Sequence, residues 1–211
     1  MAYDLQEQEQ LEAIKSWWEQ YGTLIITVVV ACLLTIAAFQ GWRYYRNQQS
    51  IAAVTLYEQL SQAERANEHK KVRDIALQIT DKYSRTPYAA MAALSAGRAA
   101  FETGDLGAAK AQLQWVIDHA REEEMKDLAR LRLAGVLLDE KNYDEALALL
   151  NAPHGAAFDA LYADLKGDIL LAQGKRGEAR GAYQQALEKS DVKSPYRPMI
   201  QAKLDALGEA K

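Results

Sequence analysis

The sequence predicts an all-α chain: a single transmembrane helix, then an α-solenoid of three to four helix hairpins with a C-terminal capping helix. Three observations predict it. An uncharged stretch near the N-terminus is long enough to cross a bilayer. Small residues recur in one register with a period close to that of known helix-hairpin repeats. The chain past Gln49 is rich in Ala, Leu, Glu, Lys and Gln, with four prolines in all 211 residues. That length and a hydrophobic content of 49% suit one ordinary domain with a short accessory segment, and argue against a multi-domain enzyme.

Residues 1–22 read as an acidic tail. Its charged residues are Asp4, Glu7, Glu9, Glu12 and Glu19 against Lys15 alone, which leaves 24 basic and 24 acidic residues in the rest of the chain. The whole formal charge of -4 therefore sits in the tail. A neutral large domain offers no basic field for nucleic acid. Within the tail Leu11, Ile14, Trp18 and Tyr21 recur at helical spacing, which predicts a short amphipathic helix at the membrane interface, with a frayed polar segment over residues 1 to 8.

Residues 23–42 read as the transmembrane helix. Between Glu19 and Arg43 lie 23 uncharged residues, which as a helix would span ~34 Å. The segment from Thr23 to Phe39 holds ten Leu, Ile, Val or Phe residues. At roughly -0.3 to -0.6 kcal/mol each, these favour insertion by several kcal/mol. Trp17, Trp18 and Tyr21 on one side and Trp42, Tyr44 and Tyr45 on the other form the aromatic belts expected at the two interfaces. A cleaved signal peptide would begin with a basic region, and this one is acidic. Cys32, the single cysteine, falls inside the span, so no intramolecular disulfide is available. Counting basic residues, Lys15 before the span against Arg43 and Arg46 after it, points weakly to a cytoplasmic C-terminal domain.

Residues 43–211 read as the repeat domain, entered by a helical stem with no Gly/Ser linker. Aligning the stretches from Ala96, Leu133 and Lys166 superposes Gly97 with Ala134 and Gly167, and Ala109 with Ala146 and Ala179. The intervals bracket the tetratricopeptide period of roughly 34 residues, so the domain is expected to be tetratricopeptide-like. Ala76, about one further period back from Ala109, marks a more degenerate copy. Gly104-Asp105, Asn142-Tyr143 and Gly174-Lys175 supply the turn, since Gly and Asn tolerate left-handed backbone angles. Leu113, Leu150 and Tyr183 fill the space beside the small residues. Pro153, His154 and Gly155 should end one helix early. After Pro195 and Pro198, Met199, Leu204 and Leu207 predict a helix that caps the last repeat.

Motif chemistry gives no catalytic, cofactor or metal site. His69, His119 and His154 are scattered, no phosphate-cradling glycine loop occurs, and acidic runs such as Glu122-Glu123-Glu124 and Asp139-Glu140 read as solvated faces. Recognition by a surface is the remaining function. Similarity to tetratricopeptide repeats implies a concave groove lined by the first helix of each unit, at Leu94, Arg98 and Phe101, then Leu131 and Leu138, then Asp164, Asp168 and Leu171.

The acidic tail, one span, GWRYYR (Gly41 to Arg46), degenerate repeats, KGDILLAQGKRGEAR (Lys166 to Arg180) and SDVKSPYRPMIQAKLDAL (Ser190 to Leu207) together resemble the YfgM family of Gram-negative bacteria over nearly the whole chain. The resemblance implies an ancillary subunit of the SecYEG translocon in the inner membrane. Its N-terminus would be cytoplasmic and its repeat domain periplasmic, against the charge count. As partners it implies the periplasmic chaperone PpiD and nascent secretory chains, and it implies no cofactor. A scaffold for cell-envelope assembly, or a stress regulator acting through the acidic tail, are the readings from other classes.

Overall fold

A computed structural model describes residues 2–208 of the chain, so the first residue of the predicted tail and the last three of the predicted repeat domain lie outside the described residues. Among those described there is no strand. The helices are α1 (Ala2–Arg65), α2 (His69–Tyr83), α3 (Pro87–Glu102), α4 (Leu106–His119), α5 (Glu123–Asp139), α6 (Tyr143–Leu150), α7 (Asp159–Ala172), α8 (Arg176–Lys189) and α9 (Arg197–Ala206), with a 3-10 turn at Ala156–Phe158. The fold divides into two units, Met1–Gln49 and Ser50–Lys211.

In the first unit helix runs without a break from the acidic tail through the apolar stretch. Helix already begins at Ala2, so the fraying expected near the N-terminus is absent among the described residues. Gln, Glu, Leu and Ala in the tail are strong helix formers, and no Gly or Pro interrupts them before Gly22. Leu24, Leu33 and Leu34 are 60% or more exposed, so this is not the core helix of a globular fold. Thr27 and Thr35 turn their hydroxyls back onto the carbonyls of Thr23 and Ala31, at 2.7 and 2.8 Å, which leaves neither donor unsatisfied in an apolar surrounding.

The second unit is, among the described residues, a run of four helix hairpins. The end of α1 pairs with α2, then α3 with α4, α5 with α6 and α7 with α8, and α9 closes the array. One turn joins each pair. Asn67, Gly104, Lys141 and Gly174 take left-handed φ of 56, 76, 63 and 80°. In each case the next amide donates to a carbonyl five residues back: Glu68 to Ala63, Asp105 to Ala100, Asn142 to Leu137, Lys175 to Leu170. This is the Schellman closure. It confirms the copy marked by Ala76 and corrects one residue: in the third hairpin Lys141, not Asn142, adopts the left-handed angle. The turn geometry is imposed by the packing of the two helices, and a lysine bears its cost.

Small residues set how closely paired helices approach. A Cβ on Gly97 would lie 3.3 Å from Leu113 Cγ, and one on Gly167 would lie 2.4 Å from Tyr183 Cε1. Ala76, Ala109, Ala134, Ala146 and Ala179 are fully buried. Three apolar clusters succeed one another along the array. Trp115 packs against both the first and the second, and Leu147 against both the second and the third, so the core is a chain of neighbour contacts.

The PHG segment ends α6 after eight residues, as the sequence suggested. Asp127, 2% exposed, pins the loop between α6 and α7. One carboxylate oxygen accepts from Arg130 at 2.7 Å and the other from the amide of Gly155 at 2.9 Å. Its carbonyl accepts from the Tyr162 hydroxyl at 2.8 Å. The cap is seated by Ile200, 1% exposed, with Leu204 and Leu207 beside it. Met199, expected inward, is 48% exposed; one residue of helical rotation separates the two outcomes.

Candidate functional site

Aromatic residues flank the apolar stretch of α1 on both sides. Trp17, Trp18, Tyr21, Trp42, Tyr44 and Tyr45 are all exposed. Tyr21 and Trp42 are separated along the helix by ~32 Å, close to the hydrocarbon thickness of a bilayer. Arg46 lies over the Trp42 ring at 4.9 Å, and Trp17 meets Tyr21 with ring centroids 5.8 Å apart. Cys32 is exposed on the same helix.

The expected groove residues divide into four groups. Leu94 is 6% exposed and belongs to the core between the second and third hairpins, so its side chain is not on offer to a partner; the register that puts Gly97 against Leu113 turns it inward. Leu131 and Leu138 are half-buried against that same core. Arg98, Phe101 and Leu171 are exposed, Phe101 at 41% and Leu171 at 37%. Phe101, Leu138 and Leu171 occupy one register position, four residues past Gly97, Ala134 and Gly167, and form an apolar row at the ends of three first helices.

Asp164 and Asp168 are held by the chain itself. Lys203 of α9 donates to Asp164 at 2.8 Å and to Asp168 at 2.7 Å, and the Tyr183 hydroxyl donates to the other Asp168 oxygen at 2.8 Å. Burial raises the pKa of Asp164 despite its bonds to Lys203. Burial pulls Lys203 down, but its bonds to the two carboxylates more than offset that, and its pKa stands raised. Tyr183 is raised by burial and then by Asp168. The last repeat's acidic positions thus anchor the capping helix, which corrects their assignment to an open groove.

Sequence reasoning missed Arg132 and Gly135 on α5 and Lys203 on α9. Arg132 is exposed and sits near Arg98 and Glu64: its pKa is lowered, first by loss of water around it and then by the charge of Arg98, with Glu64 acting the other way. Glu64, Arg98 and Arg132 stand on the first helices of three successive hairpins but not at one repeat position, since in the register that pairs Gly97 with Ala134 Arg98 matches Gly135 and Arg132 matches Ser95, so the repeat pattern did not mark them. Among the described residues no group of three or more His, Cys, Asp or Glu side chains is placed to hold a metal ion.

A family model described as a tetratricopeptide repeat-like domain matches residues 15–209. Three curated relatives named "Ancillary SecYEG translocon subunit" align over most of their length. The Haemophilus influenzae protein is 32% identical over 88% of this chain and 91% of its own. The Neisseria gonorrhoeae protein is 32% identical over 98% of this chain and 100% of its own. The Escherichia coli protein is 31% identical over 95% of this chain and 96% of its own. With a family model over residues 15–209 and relatives 31 to 32% identical over 88 to 98% of the chain, the chain belongs to the tetratricopeptide repeat-like family of ancillary SecYEG translocon subunits, the one its sequence resembles.

Proposed function

We propose that the chain is a membrane-anchored protein-interaction subunit of the SecYEG translocon. Its N-terminal tail is cytoplasmic and its repeat domain periplasmic. There the domain links the channel to a chaperone such as PpiD and assists the passage of secreted chains. The observation that carries this reading is the extent of the similarity: relatives bearing the translocon-subunit name match 88 to 98% of this chain, anchor and repeats alike. The exposed apolar helix and the apolar row Phe101, Leu138 and Leu171 support it, because an anchor and a recognition surface are what such a subunit needs. The opposing charge count amounts to one basic residue, and acidic residues weigh little in that rule, so the tail's carboxylates do not hold it outside.

Affinity purification of the full chain from mild-detergent membranes tests the reading. SecYEG subunits are expected in the eluate, with PpiD among the other proteins retained. Recovery of envelope-assembly proteins with no SecYEG subunit would replace this reading with that of a scaffold.

A further inference from the structure

The open part of the groove differs in character from its closed end. At the fourth hairpin α9 covers Asp164 and Asp168, so the acidic positions are spoken for. Over α3 and α5 nothing among the described residues plays that role. Arg98 is exposed and shares one guanidinium nitrogen with Glu102 at 2.8 Å. Arg132 is exposed as well, and among the described residues no carboxylate lies within ion-pair distance of it; Glu64 and Arg98 act on it only at longer range.

Space lies beside the two arginines. A Cβ built on Gly135, nearly one helical turn beyond Arg132, would meet nothing within 4 Å. Three residues further Leu138 is half-buried, and Phe101 on α3 is 41% exposed. A hollow of about 200 Å³ bounded by Glu64, Arg65, His69, Ser95, Arg98 and Glu102 adjoins Arg98 on the α1 side. Two like charges beside an apolar surface attract a partner that brings negative charge together with apolar bulk, because guanidinium pairs best with carboxylate and an apolar side chain gains by leaving water.

We infer that the groove over α3 and α5 binds an acidic-apolar segment of a partner protein, with a side-chain carboxylate on Arg132 and Arg98 and a neighbouring apolar side chain over Gly135 against Leu138 and Phe101. The inference rests on the reading of the repeat domain as an interaction module and supplies the chemistry of what it takes. Side-chain carboxylates, rather than a chain terminus, fit two arginines carried on separate helices, since a segment running across both meets them in turn. Glu64 and Glu102 sharpen the selection by repelling carboxylates placed towards α1.

The test uses the full chain in detergent micelles and fluorescein-labelled peptide amides carrying leucines with glutamates, and the same peptides with glutamine or lysine in place of glutamate. Anisotropy is expected to show the glutamate peptide binding about tenfold tighter than the glutamine peptide, the scale of one charge-assisted pair. Arg132→Glu should reverse the preference towards the lysine peptide, and Arg132→Gln should abolish the discrimination, with helix content and thermal midpoint unchanged in both. Gly135→Leu should weaken all three peptides. Equal binding of the three by the unaltered chain, no binding of any, dependence on a free C-terminal carboxylate, or an unchanged preference in Arg132→Glu would each overturn the inference. If SecYEG still co-purifies in that event, the proposed function survives while this picture of the groove does not.

Discussion

Replacing Asp127 by alanine is expected to destabilise the repeat domain by about 3–5 kcal/mol, the scale for removing one partner of a buried ion pair. Asp127 is 2% exposed, and its carboxylate serves two donors from different elements: Arg130 one turn along α5 and the amide of Gly155 in the loop that leads to α7. Alanine would leave a guanidinium and a backbone N–H without their acceptor, and would free the joint between the third and fourth hairpins. At roughly 2–4 °C per kcal/mol for a domain of this size, thermal denaturation should show a midpoint lower by on the order of 10 °C. Asp127→Asn, which keeps one acceptor oxygen, should lose less. The same joint makes the domain sensitive to alkali. Burial, and then the charge of Asp127, push the Tyr162 phenol up to about 12, while Tyr183 and Lys203 are raised as well. A folded pKa above the unfolded value means stability that is complete below the unfolded value and lost as pH rises through the folded one. The midpoint should therefore be flat from about pH 7 to 9 and fall between about 10 and 12.

Gly167→Ala is expected to cost about 2–3 kcal/mol, far more than alanine usually costs a helix. The new Cβ would lie 2.4, 2.6 and 2.9 Å from three atoms of the Tyr183 ring. That ring is 1% exposed and tethered through its hydroxyl to Asp168 at 2.8 Å, so it has nowhere to move. The third hairpin shows the remedy. There Ala134 and Leu150 occupy the positions of Gly167 and Tyr183, and both are buried without conflict. Gly167→Ala combined with Tyr183→Leu should recover much of the loss, giving a coupling energy of about 1 kcal/mol or more in a double-mutant cycle. Additive effects would show that the glycine is not there for the tyrosine.

These two sites differ in how far the sequence revealed them. The Gly167 and Tyr183 pairing was legible, because repetition placed small against large in one register three times over. The span was legible too, since 23 uncharged residues between aromatic belts admit few other structures. Asp127 was not: a single aspartate in a polar helix carries no signal, and its role arises only when the loop after Pro153 folds back onto α5 and brings the Gly155 amide to it. Three of the eight expected groove residues, Leu94, Asp164 and Asp168, are taken up by the chain itself for a related reason. Asp164 and Asp168 stand at groove positions in the repeat pattern, but the pattern does not say which side chain of the capping helix will reach them, and Lys203 does. Leu94 shows the limit of positional analogy within a single repeat, where a leucine at a surface register still turns to the nearest apolar cluster. Lys141 shows that a turn can be imposed from outside its own residue preferences.

A single span that places the repeats outside the cytoplasm is the central claim, and cysteine labelling tests it most directly. In a Cys32→Ser background, a cysteine at Val192, which is 84% exposed, and another at Leu11, which is 65% exposed, are treated in intact spheroplasts with a membrane-impermeant maleimide. This topology predicts that the position of Val192 is labelled at once and that of Leu11 only after lysis, with the protein remaining in the membrane through carbonate extraction. Labelling at Leu11 but not at Val192 before lysis, or release of the protein by carbonate, would contradict it.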